Sequence, residues 1–273
     1  MDYQHLIIFV IAGAFGGYMA GMLGVGGGII FIPIIQEIVR FSALENEKAF
    51  YVLANSLAIV LAVGISGTYK QFKMKNTDLK SALVTGLFAI ISSITVSYLL
   101  QYFHIRNQKL FNYIFATVLM VTAVRMWVSK RQQKKLQADE TFHLPPLKSF
   151  IPAGLLAGII TAITGLGGGV VMVPYFNKVL KLPIKFSTGL SLSVIPIIAT
   201  PLLLFYMFNQ PVKEVYPGAQ TGYVMWMAIL PIIIAAALAS PLGVKTASKI
   251  SNDTLLGIFL TFILINLTKI LFF

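Results

Sequence analysis

Long apolar runs broken by short polar loops dominate the chain. In the first half they cover 6–22, 29–39, 49–69, 79–103 and 110–129; in the second, 149–164, 170–180, 186–208, 222–244 and 254–273. The longer runs reach the ~20 residues that a membrane-crossing helix requires. The runs 29–39 and 170–180 are about half that length, and at ~1.5 Å rise per residue each covers only part of a bilayer core. Each short run follows a glycine break, Gly24-Val25-Gly26-Gly27-Gly28 or Gly165-Leu166-Gly167-Gly168-Gly169. The pattern predicts an all-α, polytopic helical membrane protein.

The two breaks belong to a longer match. Gly24-Val25-Gly26-Gly27-Gly28-Ile29-Ile30-Phe31-Ile32-Pro33 reappears as Gly165-Leu166-Gly167-Gly168-Gly169-Val170-Val171-Met172-Val173-Pro174, displaced by 141 positions throughout. Gly13 and Gly17 recur as Gly154 and Gly158 at the same displacement, and Asn55-Ser56-Leu57 lies opposite Leu190-Ser191-Leu192 after a small gap. A duplication of this kind makes a cleaved leader an unsuitable reading of the first run, which also lacks a basic segment before it. The expected halves are residues 1–129, with a hairpin over 5–40 and helices near 49–69, 79–103 and 110–129, and residues 149–273, with a hairpin over 149–180 and helices near 186–208, 222–244 and 254–273. A polar linker, 130–148, joins them.

Composition agrees with lipid as the solvent: 57% of the 273 residues are hydrophobic and 11% charged, with a mean hydropathy of +0.84. The formal charge of +12 would point to nucleic acid in a soluble chain. Here the basic residues sit in loops, where they set orientation instead. If each broken segment is a hairpin returning to its own face, each half contributes three crossings and the second half enters inverted. With the linker in the cytoplasm, 14 loop lysines and arginines fall inside and 6 outside, Arg125 being uncounted. Both termini are then expected outside.

Cysteine is absent and the three histidines are scattered, so no metal or cofactor is expected. No catalytic constellation occurs either, and the chain is not expected to be an enzyme. Glu45 and Glu47 precede a crossing, and no carboxylate is expected deep in the membrane. That disfavours cation pathways, which use buried acids.

Three consecutive glycines do not hold a regular helix, and irregular backbone survives in a membrane only when buried in protein or facing water. The helical run after each break directs free N–H groups and a positive dipole end at the break. Paired breaks of this sort in inverted halves read as an anion site. The candidate residues are Gly24, Gly26, Gly27, Gly28, Gly165, Gly167, Gly168 and Gly169, joined by Thr164 and by the hydroxyls and amide of Asn55, Ser56, Thr188, Ser191 and Ser193. Close helix packing alone is the competing reading of the glycines, and interhelical bonding that of the polar group. Leucine at Gly27 or Gly168 is expected to fill the space between the breaks. Pro33 and Pro174 read as kinks in the short helices.

These motifs, with Gly222-Tyr223-Val224 and Ser240-Pro241-Leu242-Gly243, resemble the sulfite exporter TauE/SafE family, also called the toluene sulfonate uptake permease family. The resemblance covers essentially the whole chain. It implies multi-pass transport in the bacterial inner membrane of sulfite, organosulfonate, sulfoacetate or thiosulfate. Asn55-Ser56 stands where members often carry Gly-Thr-Ser, so part of the polar lining differs. The residues themselves argue for a small anion carried by alternating access, with lipid as surroundings and no nucleic acid. An anion channel and a non-transporting membrane scaffold are the other readings.

Overall fold

In the computed structural model the described residues are 3–39, 47–103, 143–211 and 219–251, with scattered positions between and beyond. The linker up to residue 142 and the apolar runs 110–129 and 254–273 fall outside the continuous stretches. Eight helices are described: α1 Tyr3–Leu23, α2 Gly28–Val39, α3 Lys48–Lys73, α4 Leu79–Tyr102, α5 Ile151–Thr164, α6 Gly169–Pro174, α7 Ile184–Phe208 and α8 Trp226–Lys249. A single tight turn, Leu147–Phe150, leads into α5, and α6 continues into a wider π turn, Tyr175–Val179. No strand occurs among the described residues; Thr221 and Val224 form one isolated bridge.

Six of the helical stretches are long and apolar enough to cross a membrane: Leu6–Leu23, Lys48–Lys73, Leu79–Tyr102, Leu147–Thr164, Ile184–Phe208 and Trp226–Lys249. The fold is that of a helical multi-pass membrane protein. Its outer surface is apolar where a soluble protein would be charged. On α4, Leu83, Leu87, Ile91, Ile94 and Tyr98 form an exposed stripe at helical spacing, and on α8 Leu230, Ile234, Leu238 and Leu242 do the same. Such stripes belong against lipid. The opposite face of α4 is small and buried, with Ser81, Ala82, Thr85, Gly86, Ala89 and Ser93.

Those small faces receive the hairpins, and each hairpin packs on the other half of the chain. α1 lies along α8, and α5 lies along α4. A Cβ at Gly13 would lie 2.6 Å from the Ile232 carbonyl oxygen, and one at Gly17 would collide with that of Ala236. Gly154 and Gly158 stand in the same relation to the carbonyls of Thr85 and Ala89. The contacts map onto each other, with α1 displaced by 141 positions and α4 to α8 by 147. In the middle, α3 and α7 cross antiparallel: Gly64 meets Ile195 and Pro196, Gly67 meets Leu192, and Thr68 Oγ1 donates to the Leu192 carbonyl at 3.0 Å. They are the most enclosed of the six spans.

Charge separates the two ends of this bundle. Lys70, Lys73, Lys75 and Lys80 flank the α3–α4 turn. Lys148 precedes α5, Lys178, Lys181 and Lys185 surround the start of α7, and Lys245 and Lys249 close α8. The helix directions bring all of these to one end. At the other end, where α3 begins and α7 finishes, the described residues hold Lys48.

Candidate substrate site

Each glycine break is a bend built from left-handed backbone. Gly24, Gly26 and Gly27 have φ of 70°, 72° and 83°; Gly165, Gly167 and Gly168 have φ of 70°, 74° and 73°. A side chain in this region costs ~1–2 kcal/mol per residue, so three such positions within four residues select glycine. Gly24 N–H closes α1 onto the Ala20 carbonyl at 2.9 Å, and Gly165 N–H closes α5 onto that of Thr161 at 2.8 Å. The next helices restart at once. Ile30 and Phe31 N–H donate to the Gly27 carbonyl, and Val171 and Met172 N–H to that of Gly168. The N–H groups of Gly28, Ile29, Gly169 and Val170 come before the first bonded turn, so no intrahelical acceptor serves them.

The two bends touch at the centre of the molecule. A Cβ on Gly28 would lie 2.6 Å from Leu166 Cα and 3.0 Å from the Gly165 carbonyl oxygen. A Cβ on Gly169 would lie 2.5 Å from Val25 Cα and 2.9 Å from the Gly24 carbonyl oxygen. Gly26 and Gly167 both face the pair Val60 and Ile195, which sit midway along α3 and α7. All eight candidate glycines are buried. Gly27 and Gly168 point elsewhere, Gly27 toward Phe31 and Ala20, Gly168 toward Ala157 and Thr161. Each therefore packs inside its own hairpin. Leucine there would disrupt the hairpin rather than fill a space between the bends, and the expectation is corrected: Gly28 and Gly169 are the glycines that face across.

The polar candidates divide by what they already bind. Ser56 Oγ donates to the Gly165 carbonyl at 3.0 Å, linking α3 directly to the second bend. Ser191 is its counterpart at a displacement of 135, is fully buried, and its Oγ has no hydrogen-bond partner. Thr188, one turn earlier on α7, packs against Gly24 and donates to the Lys185 carbonyl at 2.9 Å. Ser193 Oγ donates to the Gly189 carbonyl and accepts from Thr77 Oγ1, both at 2.9 Å. Thr164 Oγ1 donates to the Ile160 carbonyl at 2.6 Å and accepts from Leu166 N–H at 3.3 Å, bracing the second bend. Asn55 is fully engaged: Nδ2 donates to the Tyr51 and Tyr223 carbonyls at 2.7 and 2.9 Å, and Oδ1 accepts from Met225 N–H at 2.8 Å. Pro33 lies within an uninterrupted α2, whereas Pro174 stands where α6 widens into its π turn.

One group escaped sequence reasoning. Glu47 is completely buried, and its Oε1 accepts from Tyr223 Oη at 3.1 Å. Counted along the chain it looks like a loop acid before a crossing. The return of residues 220–225 over the start of α3 sets Tyr223 against it. An acid followed by Tyr51 and Asn55 at four-residue spacing is the signal that was available.

Known proteins resemble this chain in sequence along nearly its whole length. The model of the family described as sulfite exporter TauE/SafE matches residues 9–270. The chain belongs to that family. A probable membrane transporter protein of Methanocaldococcus jannaschii is 26% identical over 254 residues, covering 92% of this chain and 91% of its own. A probable membrane transporter protein of Haemophilus influenzae is 22% identical over 264 residues, covering 96% and 97%. YunE of Bacillus subtilis, also named a probable membrane transporter, is 22% identical over 266 residues and covers 93% of each. No solved structure matches the chain. Membership makes the protein a membrane transporter with a small-molecule substrate, and not an enzyme.

Proposed function

We propose that the protein carries a small sulfur-containing anion, such as sulfite, an organosulfonate, sulfoacetate or thiosulfate, across the bacterial inner membrane by alternating access around the paired bends. The observation that carries this reading is the meeting of the two bends at the middle of the α3–α7 pair. Two helical runs, starting at Gly28 and Gly169, bring unpaired N–H groups and positive dipole ends to one place. The buried, unpartnered Ser191 hydroxyl, counterpart of the Ser56 that bonds the second bend, supplies a further free donor. In the present packing each bend's carbonyl sits by the other's helix start, and a substrate oxygen would take that place as the bends part. The sulfur in this proposal comes from the family's name.

The same proposal makes the halves inverted repeats, 1–129 and 149–273, with the linker 130–148 in the cytoplasm and both termini periplasmic. Two equivalent spans running antiparallel, α3 and α7, support the inversion. The gathering of lysines at the end where α5 begins supports the orientation. The test is uptake by proteoliposomes of labelled sulfite, thiosulfate, sulfoacetate and an aryl sulfonate, with chloride and a sodium ion as comparison substrates. Saturable movement of at least one sulfur anion is the expected result. Movement of none of them, in vesicles whose protein is folded, overturns the substrate. Unitary currents in a planar bilayer would replace the carrier with a channel.

A further inference from the structure

The repeat relation that holds at the centre fails at the two ends. At the end lacking the lysine cluster, α3 grips the segment 220–225 of the other half through side chains. Tyr223 Oη donates to Glu47 Oε1 at 3.1 Å, Asn55 bonds the Tyr223 carbonyl and Met225 N–H, and Gln220 Nε2 donates to Tyr51 Oη at 3.2 Å. Phe50, Tyr51, Tyr206 and Tyr223 pack around these bonds, with the Tyr51 and Tyr223 rings edge to face at 5.1 Å. Everything in this cluster except Gln220 is buried.

The backbone frame of that grip exists at the lysine end too. Tyr223 N–H donates to the Tyr206 carbonyl at 3.2 Å, and its counterpart, Asn76 N–H, donates to the Gln71 carbonyl at 3.1 Å. Gly222 and Lys75, also counterparts, have φ of 55° and 56°. A Cβ at Gly189 would collide with the Asn76 carbonyl, so α7 lies directly against the 74–78 turn. The side chains differ completely. Glu47 just before α3, and Tyr51 and Asn55 on it, have as counterparts Leu182 just before α7, and Phe186 and Leu190 on it; where the first end has Tyr223 the second has Asn76. Thr77 bonds Ser193 there, and Gln71 Oε1 is buried without a donor.

We propose that Glu47, Tyr51, Asn55, Gln220 and Tyr223 form a polar clamp that keeps their end of the transporter shut at rest, so that the lysine-bearing end opens first to admit substrate to the bends. The inference rests on the alternating-access reading above. It deepens that reading by fixing which face the unloaded carrier presents. Polar bonds suit this role because they are discrete: two packed surfaces joined by five side chains separate as a unit or stay closed. The inversion of the repeats would otherwise make the two facings equal in energy, and the clamp is what separates them.

The absence of cysteine makes the test direct, because one introduced thiol reports alone. Thr188→Cys places it beside Gly24, and a membrane-impermeant maleimide is applied to either face of sealed vesicles. The expected result is faster modification from the lysine-bearing face. Adding Tyr223→Phe, which keeps the ring and removes one hydroxyl, should raise modification from the clamp face by about fivefold, the shift expected from losing one hydrogen bond. Leu190→Asn, which sets an amide opposite the Asn76 carbonyl, should slow modification from the lysine face. Faster labelling from the clamp face in the parent, or rates unmoved by both substitutions in protein that runs as a single species on size exclusion, overturns the proposal. Labelling requires no transported substrate. If the rates shift as stated while no sulfur anion moves, the clamp stands and the substrate assignment fails.

Discussion

At the centre of the molecule the two bends meet through matched backbone contacts, whereas at the ends the halves share a backbone frame and differ in the side chains that bond. Gly28 faces Leu166 as Gly169 faces Val25. Glu47, Tyr51 and Asn55 have only Leu182, Phe186 and Leu190 as counterparts. The centre is a backbone-to-backbone contact that leaves no room for a Cβ at Gly28 or Gly169, so both copies keep glycine there. The ends meet through side chains, which can diverge without altering the path of the chain. Conserved geometry therefore marks where the substrate is expected to pass, and divergent chemistry marks where the two facings are made unequal.

The sharpest way to break the central match is Gly28→Ala or Gly169→Ala. Both glycines have ordinary helical φ, so the added methyl acts through the opposite bend alone. Overpacking of this kind costs ~1–3 kcal/mol, and initial uptake should fall roughly tenfold or more for either variant. Gly257→Ala, with nothing within 4 Å of its Cβ, is the matched control and should leave uptake unchanged. Equal losses confirm equivalent bends; a loss from one alone would confine the site to that bend.

A smaller effect is expected from Gly26→Ala and Gly167→Ala. Here a positive φ and contact with Val60 combine, and thermal stability in detergent should drop by about 1–2 kcal/mol in both. Unequal melting shifts would show that the halves carry different strain.

The serine pair sharpens the comparison further. Ser56→Ala strands the Gly165 carbonyl and should cost about 1 kcal/mol of stability. Ser191→Ala removes a hydroxyl that has no partner, so the melting temperature should hold or rise while the KM for the transported anion increases about fivefold. The smallest effect belongs to Thr77→Val, which breaks the bond to Ser193 at the already weaker end. It should raise labelling of a thiol at Thr188 from the lysine-bearing face by about twofold, the low end for one part-buried hydrogen bond.

Much of the architecture could be read from residue order. Clusters of positive-φ glycines announce themselves because a side chain at each position would add strain, so both bends and the starts of α2 and α6 were visible. The polar site was less so. Ser56, Thr188, Ser191 and Ser193 are alike in sequence, and only the contacts separate a serine spent on a carbonyl from one with no partner. Asn55 looked like a substrate ligand because an amide in an apolar run usually is either ligand or glue. Its bonds to 51, 223 and 225 engage both ends of the amide in this packing. Glu47 was hidden for a related reason, since burial by a segment far along the chain leaves no mark on local hydropathy.

The crossed packing of the hairpins bears on how such a chain is made. Gly13, Gly17 and Gly21 on α1 have their partners on α8, the last of the eight described helices to leave the ribosome. Until then the first helix must wait in the bilayer with its glycine-lined groove against lipid. Assembly of the first hairpin thus waits on the synthesis of α8, and a chain truncated before α8 should be recognised by membrane proteases as incomplete.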